Sequence, residues 1–164
     1  AGSRFIQLGT EEEDVILGQI FKAERSFVLA AVVFDIDVTK TDNRGGKKYK
    51  LVVKRVNETG DSFEIKKGTL ESIEFEVDEI ENYRQEDGRI KFPIKKELKE
   101  GNYYFVGTDK NNVKTDKFNF LALNGSNNDT FKNGTAAMMA DEEIIELKGD
   151  LYFQIFGTEL TSSE

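Results

Sequence analysis

The chain has 164 residues, of which 38% are hydrophobic and 33% charged, and its formal net charge at pH 7 is -8. This composition predicts one globular domain over residues 1–164, and the acidic balance argues against nucleic acid and anionic membranes as partners. Because the sequence contains neither Cys nor His, it excludes disulfides, thiolate nucleophiles, Cys-ligated zinc and a histidine general base.

The first predicted element is a helix over residues 10–25. Thr10 and Glu13 have the spacing of a capping box, and the acids around them lie where the helix dipole favours negative charge. Apolar residues then recur at helical spacing. The alternative is a strand over residues 15–21, and Gly18 counts against the helix by about 1 kcal/mol.

After this segment the sequence alternates apolar and polar residues in short runs separated by Gly, Asn and Asp. Such runs predict a mainly β fold, a single-domain antiparallel β-sandwich that is immunoglobulin-like in general form. Pro93 places its own run at a sheet edge or at a bulge. Six residues on the apolar sides of the runs are predicted to face the core: Phe34, Ile36, Leu51, Val53, Phe75 and Val77.

Two aspartates alternate with apolar residues just before a polar loop. Asp35 and Asp37 are predicted to lie on the solvent face of a strand, opposite Lys48, Lys50 and Lys54 of a strand that returns beside it. Cross-strand pairs of opposite charge contribute about 0.2–1 kcal/mol each. A ladder of this kind explains both aspartates without a cofactor.

A calcium site is the alternative use of the acidic loops. Asp35 does not begin an EF-hand loop, because Lys40 occupies the position that needs Gly. The same Asp/Asn-rich loops are the candidates for binding a glycan. A looser metal site would combine four residues from adjacent loops: Asp42, Asn43, Asp109 and Asn111.

One segment, residues 124–143, has no alternation and is rich in small polar residues. It is predicted to be a long mobile loop, since unstructured segments of this length are usually functional or disordered. Its large apolar side chains are Phe131, Met138 and Met139. We predict that these three residues contact a partner, because Met adapts its shape to irregular surfaces.

Motifs for nucleotide binding and for a nucleophilic serine are absent from the sequence. The chain is therefore predicted to be a non-enzymatic binding or assembly module, without catalytic residues or a cofactor, that acts through a protein–protein surface. A calcium- or glycan-binding domain is the alternative, and an acidic inhibitor that mimics nucleic acid is the third. No apolar run is long enough for a membrane span, and an extracytoplasmic or cell-envelope location is slightly favoured over a cytoplasmic one.

Overall fold

The computed structural model describes residues 5–8, 15–38, 48–60, 62–109, 121–126, 134–140, 143–146 and 150–159. Within these ranges the chain is mainly β with antiparallel sheets. A 3-10 helix, η1 (Val77–Tyr83), connects β6 to β7. The strands in chain order are β1 (Phe5–Leu8), β2 (Val15–Lys22), β3 (Phe27–Phe34), β4 (Ile36–Val38), β5 (Tyr49–Thr59), β6 (Ser62–Phe75), β7 (Ile90–Leu98), β8 (Tyr103–Asp109), β9 (Leu121–Ser126), β10 (Thr135–Ala140), β11 (Glu143–Glu146), β12 (Asp150–Leu151) and β13 (Phe153–Glu159).

The described strands form three sheets. The six-stranded sheet has the order β11-β10-β2-β8-β5-β6, the three-stranded sheet has the order β13-β3-β7, and the third sheet joins β1, β4 and β12 to β9. Asn124 in β9 connects two of these sheets, because its N–H donates to the carbonyl of Asp35 and its carbonyl accepts from the N–H of Tyr152, both at 2.9 Å. Asp35 follows β3 and Tyr152 precedes β13. At both points the chain passes between the three-stranded sheet and the third sheet, beside Asn124.

One apolar cluster, called the main core here, combines buried residues of all three sheets. The Phe75 ring lies 5.8 Å from that of Tyr49 and 4.8 Å from that of Phe92, measured between centroids, so it links the six-stranded sheet to the three-stranded one. Inward orientation is confirmed for five of the predicted core residues, which are at most 2% exposed: Phe34, Ile36, Leu51, Val53 and Phe75. Val77 begins η1, and its side chain lies outside the description.

A buried polar contact fixes the third sheet to the six-stranded sheet. Gln19 in β2 donates through Nε2 to Oδ1 of Asp150 at 2.7 Å, and its Oε1 accepts from the N–H of Leu151 at 2.9 Å. Gln19 and Asp150 are at most 1% exposed. Buried polar groups are stable only when they are hydrogen-bonded, and these two side chains satisfy each other.

The helix predicted over residues 10–25 is wrong for the described part of that range, since Val15–Lys22 form strand β2. This strand lies between β8 and β10, inside the six-stranded sheet. Phe21 packs into the main core, and Ile20 packs into a smaller apolar cluster on the opposite face. Because both faces of β2 are buried, its apolar residues do not alternate with polar ones. From sequence alone, a short apolar run of this kind cannot be distinguished from the apolar face of a helix.

Gly18, which would weaken a helix, suits the strand. It lies opposite Gly107 in β8, and a Cβ atom on Gly18 would overlap the carbonyl of Val106. A close approach of two backbones therefore explains this glycine. Residues 10–14, which include the capping box, lie outside the described ranges.

The predicted Asp–Lys ladder is also wrong. Among the described strands, β4 pairs with β9, and Asp37 lies opposite Ala122. The lysine strand β5 lies between β6 and β8, where Lys50 faces Glu74 and Asp109. The physical reason is that β3 continues directly into a different sheet at Asp35, so the chain does not return beside it as a hairpin.

Strands occupy much of the loop predicted over residues 124–143. Asn124 lies in β9, and residues 135–140 form β10, which pairs with β2 on one side and β11 on the other. The small side chains of Ala136 and Ala137 are fully buried on opposite faces of this strand. Residues 127–133 lie outside the described ranges.

The prediction for Pro93 is confirmed in both of its forms. Among the described strands, β7 is an outermost strand of the three-stranded sheet. A register shift also occurs here, because Leu29 lies opposite Lys96 whereas Ala31 lies opposite Pro93. Proline is tolerated at such positions because its missing N–H breaks no hydrogen bond of the ladder.

Candidate anion-binding cleft

The apolar core gives way to charged side chains at one end of the two larger sheets. Along β5, Leu51 and Val53 face the main core, and the next residue of the same parity is Arg55. Along β7, Ile94 is buried in the main core and the next residue of that parity, Lys96, is half-buried. Strand alternation thus places two cations at inward-facing positions.

These cations line a cleft of about 400 Å³. Its volume lies in the range of roughly 300–1,000 Å³ that is usual for sites that bind small ligands. Three of its side chains are cationic and one is acidic, in a chain whose formal net charge is -8. The lining residues are Arg55, Leu70, Lys96, Glu97, Lys99, Asn102 and Tyr104.

Arg55 has a buried polar atom without a partner. Its Nε is buried and has no hydrogen-bond partner, and its guanidinium makes no ion pair with any described residue. The guanidinium carbon lies 6.0 Å from the centre of the Tyr104 ring, which supports the side chain from one side. Buried N–H groups without a partner are rare in folded proteins, so this arginine calls for a functional explanation.

Tyr104 adds a neutral donor beside Arg55. Its hydroxyl oxygen accepts from the N–H of Lys99 at 2.9 Å and from Nδ2 of Asn102 at 3.4 Å. Both contacts use the oxygen as an acceptor, and no described residue accepts the hydroxyl hydrogen. Tyr104 is 3% exposed and lines the cleft, so packing fixes its position and its O–H is left without an acceptor among the described residues.

A bulge in β6 forms one wall of the cleft. Ile65 lies opposite Val56 and Glu71 lies opposite Val53, so six residue steps of β6 span three steps of β5. Such a bulge bends the strand and redirects its side chains. Leu70 lies within it, is 39% exposed, and lines the cleft as an apolar contact.

Lys54 holds this bulge in place from the side of β5. Its Nζ donates to the carbonyl of Lys67 at 2.6 Å and to Oγ1 of Thr69 at 3.4 Å. Lys54 is only 5% exposed. Burial lowers the pKa of its ammonium group, the negative charge of Asp109 partly offsets this, and the charge of Lys50 lowers it further.

Two of the strands that line the cleft, β6 and β7, are poorly suited to strand addition. Among the described strands, both are outermost in their sheets. The bulge and the exposed Lys66 and Lys67 interrupt the edge of β6, and Pro93 with its register shift interrupts the edge of β7. These features protect sheet edges against pairing with another chain. A ligand is therefore expected to bind through side chains of the cleft.

A second cationic surface covers the outer face of the three-stranded sheet. The Arg89 guanidinium carbon lies 3.7 Å from the centre of the Tyr152 ring, and Lys91 Nζ lies 4.3 Å from that of Phe156, which is 43% exposed. Arg89 also forms an ion pair with Asp87 at 3.1 Å. The Nε of Arg89 is also buried without a hydrogen-bond partner, but its guanidinium forms an ion pair, whereas that of Arg55 forms none with the described residues. This surface therefore supports a binding site less than the cleft does.

Three of the four residues of the alternative metal site lie outside the described ranges. These three are Asp42, Asn43 and Asn111. The fourth, Asp109, ends β8 opposite Lys50. Across the described ranges, no group of three or more acidic residues is placed to hold a metal ion. The metal site stays a prediction.

The predicted partner contact also lies partly outside the described ranges. Phe131 lies outside the described ranges, whereas Met138 and Met139 lie in β10 and are half-buried. Met138 packs against the main core and Met139 against the smaller cluster. Much of their apolar surface is therefore used within the chain, and their contact with a partner stays a prediction.

Sequence reasoning missed Arg55, Lys96 and Tyr104. The signal was present for the first two, since each continues the parity of apolar residues in its own run. Leu51 and Val53, which were expected to face inward, precede Arg55, and Ile94 precedes Lys96. Tyr104 gave no separate signal, because a tyrosine in an apolar run usually belongs to the core.

Comparisons of the chain with protein families, with curated proteins and with solved structures find no match. Within the described residues, no helix is long and apolar enough to cross a membrane. The candidate site therefore depends on the geometry of the cleft alone.

Proposed function

We propose that the protein is a non-enzymatic binding module that holds an acidic group of a partner protein in the cleft. The observation that carries this proposal is the buried Nε of Arg55, which has no hydrogen-bond partner. An arginine fork matches a carboxylate in geometry and charge, and it can donate two parallel hydrogen bonds to it. The absence of His and Cys from the sequence supports a binding role over catalysis.

The other residues of the cleft suit the same ligand. Lys96 and Lys99 add positive charge, and the free O–H of Tyr104 supplies a further donor. Leu70 offers an apolar wall to the methylene groups of a glutamate side chain or to an apolar neighbour in the partner. Each hydrogen bond to a charged group contributes about 1.5–3 kcal/mol, so two or three of them are enough for measurable affinity.

We also propose that the three sheets form one β-sandwich domain over residues 1–164, immunoglobulin-like in general form. Two observations support this arrangement. The main core draws side chains from all three sheets, and the Gln19–Asp150 contact joins the third sheet to the six-stranded one. In such a sandwich the cleft is an open end between the layers.

A fluorescence anisotropy titration with a labelled hexaglutamate peptide tests the binding function. The wild-type protein is expected to bind the peptide saturably. Arg55→Met keeps the packing against Tyr104 but removes the fork, and it is expected to weaken binding at least about tenfold. Arg55→Lys keeps the charge and is expected to give an intermediate affinity.

Arg25→Met is the matched control, because it removes the same charge from a side chain that is 72% exposed and does not line the cleft. It is expected to retain the wild-type affinity. Equal losses in Arg55→Met and Arg25→Met would mean that the peptide responds to overall charge, and the proposed site would be wrong.

A further inference from the structure

A second charged region, called the acidic pole here, lies in and after η1. Residues 76–89 carry two bases, Arg84 and Arg89. The same residues carry six acids: Glu76, Asp78, Glu79, Glu81, Glu86 and Asp87. The pole thus has a negative balance, whereas the lining of the cleft has a positive one.

The acids of the pole differ in what they already bind. Glu81 receives two hydrogen bonds from Arg84, each at 2.8 Å, and Asp87 pairs with Arg89 at 3.1 Å. Both arginines lower the pKa of their partner carboxyl group, and in Asp87 the largest cause is the backbone N–H of Arg89. These contacts fix the conformation of η1 and of the turn that follows it.

Two acids of the pole remain for an external partner. Asp78 and Glu86 are exposed, and neither makes an ion pair or a side-chain hydrogen bond with the described residues. Asp78 projects from η1, which the capping box and the Glu81–Arg84 pair hold in shape, and Glu86 projects from the turn that follows it. A fixed turn that presents free carboxylates loses little conformational freedom when it binds.

The acidic pole and the cleft lie at opposite ends of β7. Arg84 pairs with Ile90 at the start of the strand, and Lys96 lies near its end. At about 3.3 Å per residue, these ends are roughly 20 Å apart. The pole therefore does not reach the cleft of its own molecule, but two copies arranged head to tail bring opposite charges together.

We propose that the occupant of the cleft is the acidic pole of a second copy of this chain, which makes the protein a self-assembling module. This inference rests on the proposed function and names its partner. Asp78 or Glu86 of one copy supplies the carboxylate for Arg55 of the next. The contact joins two different surfaces, so it is heterologous and generates rings or open chains of copies.

Sedimentation velocity of the full chain tests this inference. The weight-average mass is expected to rise above the monomer mass with protein concentration in about 0.05 M NaCl, and to return to it in about 0.5 M NaCl, where the contact is screened. Arg55→Met and the double variant Asp78→Asn/Glu86→Gln are each expected to be monomeric. Arg25→Met is expected to assemble like the wild type.

A mixture of the two monomeric variants gives the sharper result. Arg55→Met retains its acidic pole, and the Asp78→Asn/Glu86→Gln variant retains its cleft, so one productive contact is available between them. The mixture is expected to form a dimer and no larger species. Circular dichroism of each variant confirms that the fold is intact.

The outcomes separate this inference from the proposed function. A wild-type protein that binds hexaglutamate but stays monomeric overturns self-assembly and leaves the binding function in place. Self-association that Arg55→Met does not change also overturns the inference, because a different surface would then make the contact. A protein that neither binds the peptide nor assembles overturns both.

Discussion

Arg55 occupies a position that stability alone would give to an apolar residue. Its neighbours of the same parity, Leu51 and Val53, are fully buried, and its own Nε is buried without a partner. An unsatisfied buried donor costs about 1–3 kcal/mol, and more when it is charged. A residue that binds a partner at the expense of stability has this signature.

The stability of Arg55→Met follows from this position. The substitution removes an unsatisfied buried donor and breaks no hydrogen bond, so the free energy of unfolding is expected to stay the same or to increase. Urea denaturation measures it. A decrease of more than about 1 kcal/mol would show that Arg55 has a structural partner in the folded protein.

Tyr49 is a second buried polar group without a partner. It is fully buried in the main core, and its hydroxyl accepts and donates no hydrogen bond among the described residues. Tyr49→Phe removes the unsatisfied hydroxyl and keeps the ring contact with Phe75, so the variant is expected to be equally stable or more stable at pH 7. Tyr103→Phe is the control, because it removes a hydroxyl that donates to Glu58.

The alkaline behaviour of Tyr49→Phe also has a defined sign. Burial raises the pKa of Tyr49 above its ordinary value of 10.0. Above the ordinary pKa the unfolded chain releases this proton while the folded protein still holds it, so the free energy of unfolding falls as the pH rises from the ordinary pKa towards the raised one. The wild-type protein is therefore expected to lose more stability than Tyr49→Phe above about pH 10, and parallel unfolding curves across this range would contradict the assignment.

At the scale of elements, the bulge of β6 and its lysine determine the wall of the cleft. Lys54→Met removes the hydrogen bonds to Lys67 and Thr69. Backbone amides of residues 66–70 are expected to exchange hydrogen faster in this variant than in the wild type. Lys50→Met, on the same face of β5, is the control and is expected to leave the exchange in the bulge unchanged. Equal rates in the wild type and Lys54→Met would mean that β5 and β6 hold the bulge without this side chain.

The strands whose two faces differ could be predicted from the sequence. Phe34, Leu51 and Phe75 lie in alternating runs, and period-two patterning is sufficient to identify which side is buried. β2 could not be identified, because packing on both of its faces leaves no alternation to read. Helical spacing over residues 15–22 is a local signal, and tertiary packing overrides such signals.

The pairing of strands could not be predicted from the sequence either. Asp37 and Lys50 were assigned to neighbouring strands because they are close in the chain. β3 in fact continues into a different sheet where Asp35 and Tyr152 bind Asn124. Nothing in the local composition marks this change of sheet, since it depends on β9, which comes much later in the sequence.

The cleft could have been found in part. Arg55 and Lys96 each follow inward-facing apolar residues at the correct parity, so alternation alone places a cation on the buried side of two strands. Their meeting in one cleft with Tyr104 depends on the packing of two sheets. The sequence alone does not show how these two sheets pack.

At the scale of the whole molecule, net charge is a poor guide to the local field. A net charge of -8 predicts repulsion of acidic ligands. The cleft nevertheless collects three cations around one carboxylate, and the acidic pole carries six acids and two bases at the other end of β7. Opposite local charges of this kind orient a partner and accelerate its encounter at low salt.

The most direct measurement of the central claim observes the Arg55 guanidinium itself. In nitrogen-15 NMR spectra of the arginine Nε–H groups, titration with unlabelled hexaglutamate is expected to shift the Arg55 signal and to saturate at the affinity given by anisotropy. The signals of Arg25 and Arg84 are expected to move little, and the signal that disappears in Arg55→Met provides the assignment. An Arg55 signal that stays unchanged, or that moves together with every other arginine without saturating, would contradict an acidic ligand in the cleft.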